Sequence, residues 1–206
     1  YGLDLLTPKL FLPIGCIMVA VVGLACGSSW TATATIGIAF LGIGAGLGIN
    51  PALTAGMIIS GAYVGDKFSP LSDTTNLAAA VSETGLFDHV TAMVSTTFPT
   101  FIIALILYTV LGLNIDTSGY DPSVATDLQA ALSEGFNLSP ILLLPIVVIV
   151  VVCIMKVPGL VGIAISVGCG ILFAVVFQGM HSVGTLFDTL HYGTVFESSN
   201  DLANDL

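Results

Sequence analysis

The sequence predicts an all-α, polytopic membrane protein with one discontinuous transmembrane helix, and three observations predict it. First, 55% of its 206 residues are hydrophobic and only 8% are charged, with a mean hydropathy of +1.05; about a quarter of the residues of soluble domains are charged. Second, apolar runs long enough to cross or deeply enter a bilayer recur along the chain. Third, residues 60–80, SGAYVGDKFSPLSDTTNLAAA, set two aspartates, a lysine and several hydroxyls into that apolar background.

The elements follow in order. The opening residues, YGLDLLTPKL, lack both the basic region of a signal peptide and a start methionine, so the N-terminus reads as truncated. From Leu10 to Cys26 the chain is apolar, and Gly27-Ser28-Ser29 then interrupts it. A second helix starts there, with Ser28 or Ser29 as cap, and runs to about Gly48. Its glycines include Gly42 with Gly46 and Gly44 with Gly48, spacings that let another helix of the same protein approach closely and that also admit a homodimer.

Asn50-Pro51 reads as a third helix start, asparagine capping and proline at the first helical position. This helix is expected to stop at Gly65, and Ser72 or Asp73 to cap a further one that ends near Gly85. Between them Pro70 interrupts regular helix, because it has no amide hydrogen and its ring clashes with the preceding turn. Such a break survives in lipid only where protein buries it or water fills it. It therefore reads as a site, with carbonyls near Gly65 and the carboxylates of Asp66 and Asp73 offering oxygen to a small hard cation or a proton.

Further along, Glu83, Asp88 and His89 mark a water interface, and residues 91–113 form a span in which Pro99 is expected to kink the helix. An acidic connection holding Asp116, Asp121, Asp127 and Glu134 follows, with a short interfacial helix from Val124 to Leu132. Two scaffold spans, Pro140 to Met155 and Pro158 to Phe177, flank a turn at Lys156, which the positive-inside rule would place in the cytoplasm. The tail from Gln178 reads as polar and carries Asp188, Glu197, Asp201 and Asp205. With three lysines and no arginine there is no footprint for nucleic acid. The four cysteines sit in apolar runs as small packing residues.

The residues Gly65 to Ala78, GDKFSPLSDTTNLA, resemble the signature of the NhaC-type Na+/H+ antiporter family, within the ion transporter superfamily. Gly27-Ser28-Ser29-Trp30-Thr31 is similar to that family's second polar break, usually written Gly-Thr-Ser-Trp-Gly-Thr, with Ser28 in place of threonine and Thr31 in place of glycine. The resemblance implies a re-entrant hairpin over residues 10–48 whose tip meets the break near the midplane, and a fold that is half of an inverted-repeat transporter. On this reading residues 1–90 are the ion-binding transport module and residues 91–206 are scaffold helices and polar tail, a fragment whose second half lies beyond Leu206.

The function so implied is secondary exchange of Na+ for H+ across the plasma membrane of a prokaryote, with the bilayer as partner, Na+ as transported ion, and no cofactor. The expected oxygens for cation and proton are Asp66, Asp73, Ser69, Ser72, Thr74, Thr75 and Asn76 in the break, and Ser28, Ser29 and Thr31 in the hairpin, with sodium on Asp73, Asn76 and Ser29 and Lys67 as modulator. Plainer roles compete: Asp73 as a cap, Asp66 with Lys67 as an internal ion pair, and hairpin hydroxyls bonded back to helix carbonyls. The alternative function is Na+-coupled transport of organic acids or amino acids, for example in a malate/lactate-type exchanger, because Thr74, Thr75 and Asn76 at a helix N-terminus suit a carboxylate. A non-transporting scaffold is the third class. No Ser/His dyad, GxGD or HExxH pattern points to an enzyme.

Overall fold

The computed structural model describes residues 7–115, 130, 133, 137, 139–155, 157 and 159–193. The helix expected from Val124 to Leu132 (apart from residue 130), the acids of the connection before it and after it, Lys156 and the tail acids beyond Gly193 lie outside the described residues. All regular structure among the described residues is helical, and chain contacts divide it into two units, Tyr1–Ala125 and Thr126–Leu206.

In the first unit, α1 (Phe11–Cys26) ends at Gly27, whose φ of 64° only glycine adopts freely. The chain reverses there into α2 (Ser29–Gly46), so Phe11 packs edge-on against Phe40 at 5.7 Å and Gly44 comes back beside Phe11. The two arms form a helical hairpin. Within α2, residues Thr33–Gly37 are wound as π-helix, which the sequence did not announce.

Helix α3 (Pro51–Phe68) starts as expected, Asn50 Oδ1 accepting from the Ala52 amide at 2.8 Å. It does not stop at Gly65. Gly65 is small for packing rather than for termination: a Cβ there would strike Ala20 O and lie 2.6 Å from the Leu24 amide nitrogen, and one at Gly61 would strike Cys16 O. The Gly61-xxx-Gly65 pair thus lets α1 and α3 touch backbone to backbone. Around that contact lies the core, with Phe11, Leu12, Cys16, Val19, Phe40, Met57, Ile58 and Ala62 all buried.

Four residues, Ser69–Ser72, then separate α3 from α4 (Asp73–Val81). Ser69 is extended, φ −80° and ψ 122°, as the residue before a proline must be. Helix α4 ends not at Gly85 but through Glu83, which takes φ 53°, while Gly85 is the extended N-cap of α5 (Leu86–Leu113). Helix α5 runs unbroken through Pro99 and returns antiparallel along the broken helix. Met93 and His89 lie beside Thr74 and Ala78, Phe98 and Phe101 beside Val64, the Tyr108 hydroxyl shares a 2.9 Å hydrogen bond with that of Ser60, and Gly112 abuts Lys9.

In the second unit, a 3-10 turn (Pro140–Leu143) leads into α6 (Leu144–Ile154), followed by α7 (Gly159–Gln178). Asn137 bonds back to the end of α7, its amide donating to Gln178 Oε1 at 3.0 Å. Where the tail was expected to be merely polar, Ser182 caps an amphipathic helix α8 (Val183–Tyr192) that exposes Val183, Phe187 and Leu190 along one stripe.

Gly65→Ala in the full-length protein is expected to cost about 1–3 kcal/mol, the usual effect of overpacking. Gly168→Ala in α7, with nothing within 4 Å of the new Cβ, is expected to be neutral or to stabilise by up to about 1 kcal/mol. Thermal unfolding of the two variants in nanodiscs checks this; equal melting of Gly65→Ala and native protein would contradict the contact.

Candidate functional site: the break between α3 and α4

The break is closed by side chains of α4. The Ser72 hydroxyl accepts from the Thr75 amide at 3.3 Å and so caps α4; Asp73 is exposed in the first helical turn, its carboxylate accepting from the Thr74 amide at 2.8 Å. Asn76 Nδ2 donates to Pro70 O at 2.9 Å and to Ser72 O at 2.6 Å. Thr75 Oγ1 reaches Asp66 O and Lys67 O, both at 3.4 Å. The carbonyls that the interruption frees are thereby largely claimed by protein donors, as the bilayer requires.

Asp66 stands apart. It is 5% exposed, its Oδ2 accepts from Thr74 Oγ1 at a long 3.4 Å, and its Oδ1 is buried without any hydrogen-bond partner. The only other such atom among the described residues is Thr54 Oγ1, which sits in the core where Gly44 leaves room. Beside Asp66 lie the buried side chains of Ser69, Ser72 and Thr75, and the Ser72 and Thr74 hydroxyls share a 2.9 Å bond. Among the described residues no lysine comes within 4.0 Å of a carboxylate, so the internal Asp66–Lys67 ion pair, the plainer of the two roles weighed for Asp66, is not formed. A buried carboxylate with one unpartnered oxygen and one hydroxyl on the other, without a protein cation, offers oxygen to a small hard cation or a proton. No group of three His, Cys, Asp or Glu among the described residues forms a transition-metal site.

The hairpin meets the break at one place, its turn: a Cβ on Gly27 would lie 2.8 Å from Leu71 and 2.9 Å from the Ser72 nitrogen. Ser28 caps α2 by accepting from the Thr31 amide at 3.3 Å. Ser29, buried, lines a cleft of about 210 Å³ with Trp30, Thr33, Ile59 and Tyr63, and Thr31 is exposed. Among the described residues no hydrogen bond links these hydroxyls to Asp66, Asp73 or Asn76. Sequence reasoning missed His89 as a neighbour of the break. It lines a cleft of about 420 Å³ with Lys67, Thr74, Thr75, Ala78 and Met93. The signal available was the i, i+4 spacing of His89 and Met93 on one face of α5.

The model of the Na+/H+ antiporter family matches residues 61–206, which includes the whole break. The chain belongs to this family. As an NhaC-type member it is a multi-pass plasma-membrane protein, and among the described residues three helices are long and apolar enough to cross a bilayer: Ser29–Gly46, Leu86–Leu113 and Leu160–Gln178. It is 40% identical to the arginine/ornithine antiporter ArcD of Halobacterium salinarum, 39% to the malate-2H(+)/Na(+)-lactate antiporter of Bacillus subtilis, and 35% to the Na(+)/H(+) antiporter NhaC of Alkalihalophilus pseudofirmus. Each match covers 99–100% of this chain and 43–44% of the relative, so the chain spans less than half the length of these family members. No solved structure matches it significantly.

Ser72→Ala is expected to destabilise this antiporter-family protein by about 1 kcal/mol, the usual loss of an N-cap. Asp73→Ala removes only a bond to the next amide and is expected to cost less; a thermal-melting comparison that ranks the two in the opposite order would reassign the cap.

Proposed function

We propose that this chain works in a secondary antiporter that exchanges Na+ for H+, and that Asp66 is the group the two ions share. The observation that carries this reading is the buried Asp66 Oδ1 without a protein partner, at the one interruption of an otherwise apolar helix pair. A carboxylate in that position is satisfied by one Na+ or by one proton and not by both, and this mutual exclusion couples the two flows. The hydroxyls of Thr74, Ser72 and Ser69 would complete the sodium's oxygen shell. Asp73, exposed in the first turn of α4, would receive the ion on its way in, with Asn76 holding the break in shape. Lys67, exposed beside Asp66, would modulate the site by its charge.

The hairpin is assigned as re-entrant. The 16 residues of α1 reach about 24 Å, short of a hydrocarbon core of about 30 Å. Residues 1–90 would then be the moving transport module, residues 91–206 scaffold helices and tail, and the remaining length of the relatives would supply an inverted counterpart.

A second reading is favoured by the relatives themselves. The two matched at 39–40% identity are named for malate, lactate, arginine and ornithine, all of which carry a carboxylate, whereas the NhaC relatives match at 31–35%. Exchange of organic acids or amino acids coupled to the same cation site is therefore the alternative.

Sodium-driven proton movement in proteoliposomes of the full-length protein decides between them. Asp66→Asn is expected to abolish the signal, while Asp73→Asn weakens apparent sodium affinity by up to about tenfold, or about 1.4 kcal/mol. Full activity in Asp66→Asn would overturn the assignment. An absence of proton movement in native protein that still exchanges labelled malate, lactate or arginine would move the second reading to first place.

A further inference from the structure

We infer that the cleft between α3, α4 and α5 binds the carboxylate of a small organic anion, held by Lys67 and His89. Lys67 on α3 and His89 on α5 both line this cleft of about 420 Å³, and neither side chain has a hydrogen bond or ion pair among the described residues. Two nitrogen donors from separate elements thus line one space, with no ion pair between either of them and a carboxylate among the described residues. Thr74 and Thr75, also lining it, sit in the first turn of the nine-residue α4, whose positive dipole end adds to the same field. The rest of the lining, Ala78 and Met93, one helical turn from His89 and Thr74, is apolar. A chloride ion would use the donors and leave that apolar side empty, whereas an anion with a carbon skeleton of a few atoms uses both, and the volume falls in the range of small-ligand sites.

Thr74 also ties the cleft to Asp66, because its hydroxyl lines the one and donates to the other at 3.4 Å. An ionised Asp66 repels an anion in the cleft, and a sodium ion or proton on Asp66 removes that repulsion. The inference thus gives the organic-solute reading a place for its carboxylate, but it is tested by binding alone, so that loss of this site and loss of that reading are told apart.

The test is calorimetric titration of the full-length protein in nanodiscs at saturating sodium, with L-lactate, L-malate and L-arginine, and with lactamide as the uncharged counterpart of lactate. At least one carboxylate is expected to bind saturably, lactamide to bind at least tenfold more weakly than lactate, and Lys67→Gln and His89→Gln each to weaken binding about tenfold or more, as loss of a charge-assisted or buried hydrogen bond does. Lys67→Arg, which keeps charge and donors, is expected to retain most of the affinity, and this guards against a merely misfolded glutamine variant. Absence of binding by all three carboxylates, or equal binding by native protein and both glutamine variants, overturns the inference. A protein that exchanges labelled carboxylates in liposomes while both variants bind like native keeps the organic-solute reading and loses this site.

Discussion

Four residues outside both helices, Ser69–Ser72, set the terms for the first unit of this protein. An interruption in lipid is viable only if its amides and carbonyls find partners, and here the partners come from the next helix: Ser72, Thr75 and Asn76 bond amides and carbonyls between Asp66 and Thr75. Among the described residues, Asp66 Oδ1 is then the one buried side-chain atom at the break without a partner, and it stands out chemically for that reason.

A helix cut in two needs something uncut beside it. Helix α5, 28 residues without a gap, lies along α4, the break and α3 in turn, and the Ser60–Tyr108 bond pins it on the far side. On the other face, α1 is held against α3 through Gly61 and Gly65, where no Cβ intervenes. The turn of the hairpin at Gly27 closes on Leu71 and Ser72. Substituting any of these three glycines would therefore act on the break through packing, without touching an ion ligand.

What the sequence made legible was local. Asn50-Pro51 as a helix start, a cap at Ser28 or Ser29 and another at Ser72 or Asp73, and the interruption at Pro70 all rest on chemistry within three or four residues; the structure has the start and the interruption as expected and takes Ser28 and Ser72 as the caps. The family resemblance in residues 65–78 was legible for a similar reason, since the motif is contiguous. Gly65 was misjudged because a glycine that ends a helix and one that admits a neighbouring helix look alike until the neighbour is known. Glu83 in a left-handed conformation took the role assigned to Gly85, and the π-wound segment at Thr33–Gly37 had no signature at all. His89 was read only as a mark of the water interface, because its relation to Lys67 and Thr74 exists only once α4 and α5 fold back on one another.

The position of the break along α5 has an electrical meaning. Helix α5 is about 42 Å long, and the cleft beside the break is lined by its residues His89 and Met93, about 10 Å or less from the Leu86 end and about 30 Å from the other. A cation resting at Asp66 would divide the transmembrane voltage into two unequal parts. Since a full crossing is worth about 2.3 kcal/mol per charge at 100 mV, most of that work would fall on the long leg towards Leu113, and a change in membrane potential would alter ion access from one face far more than from the other.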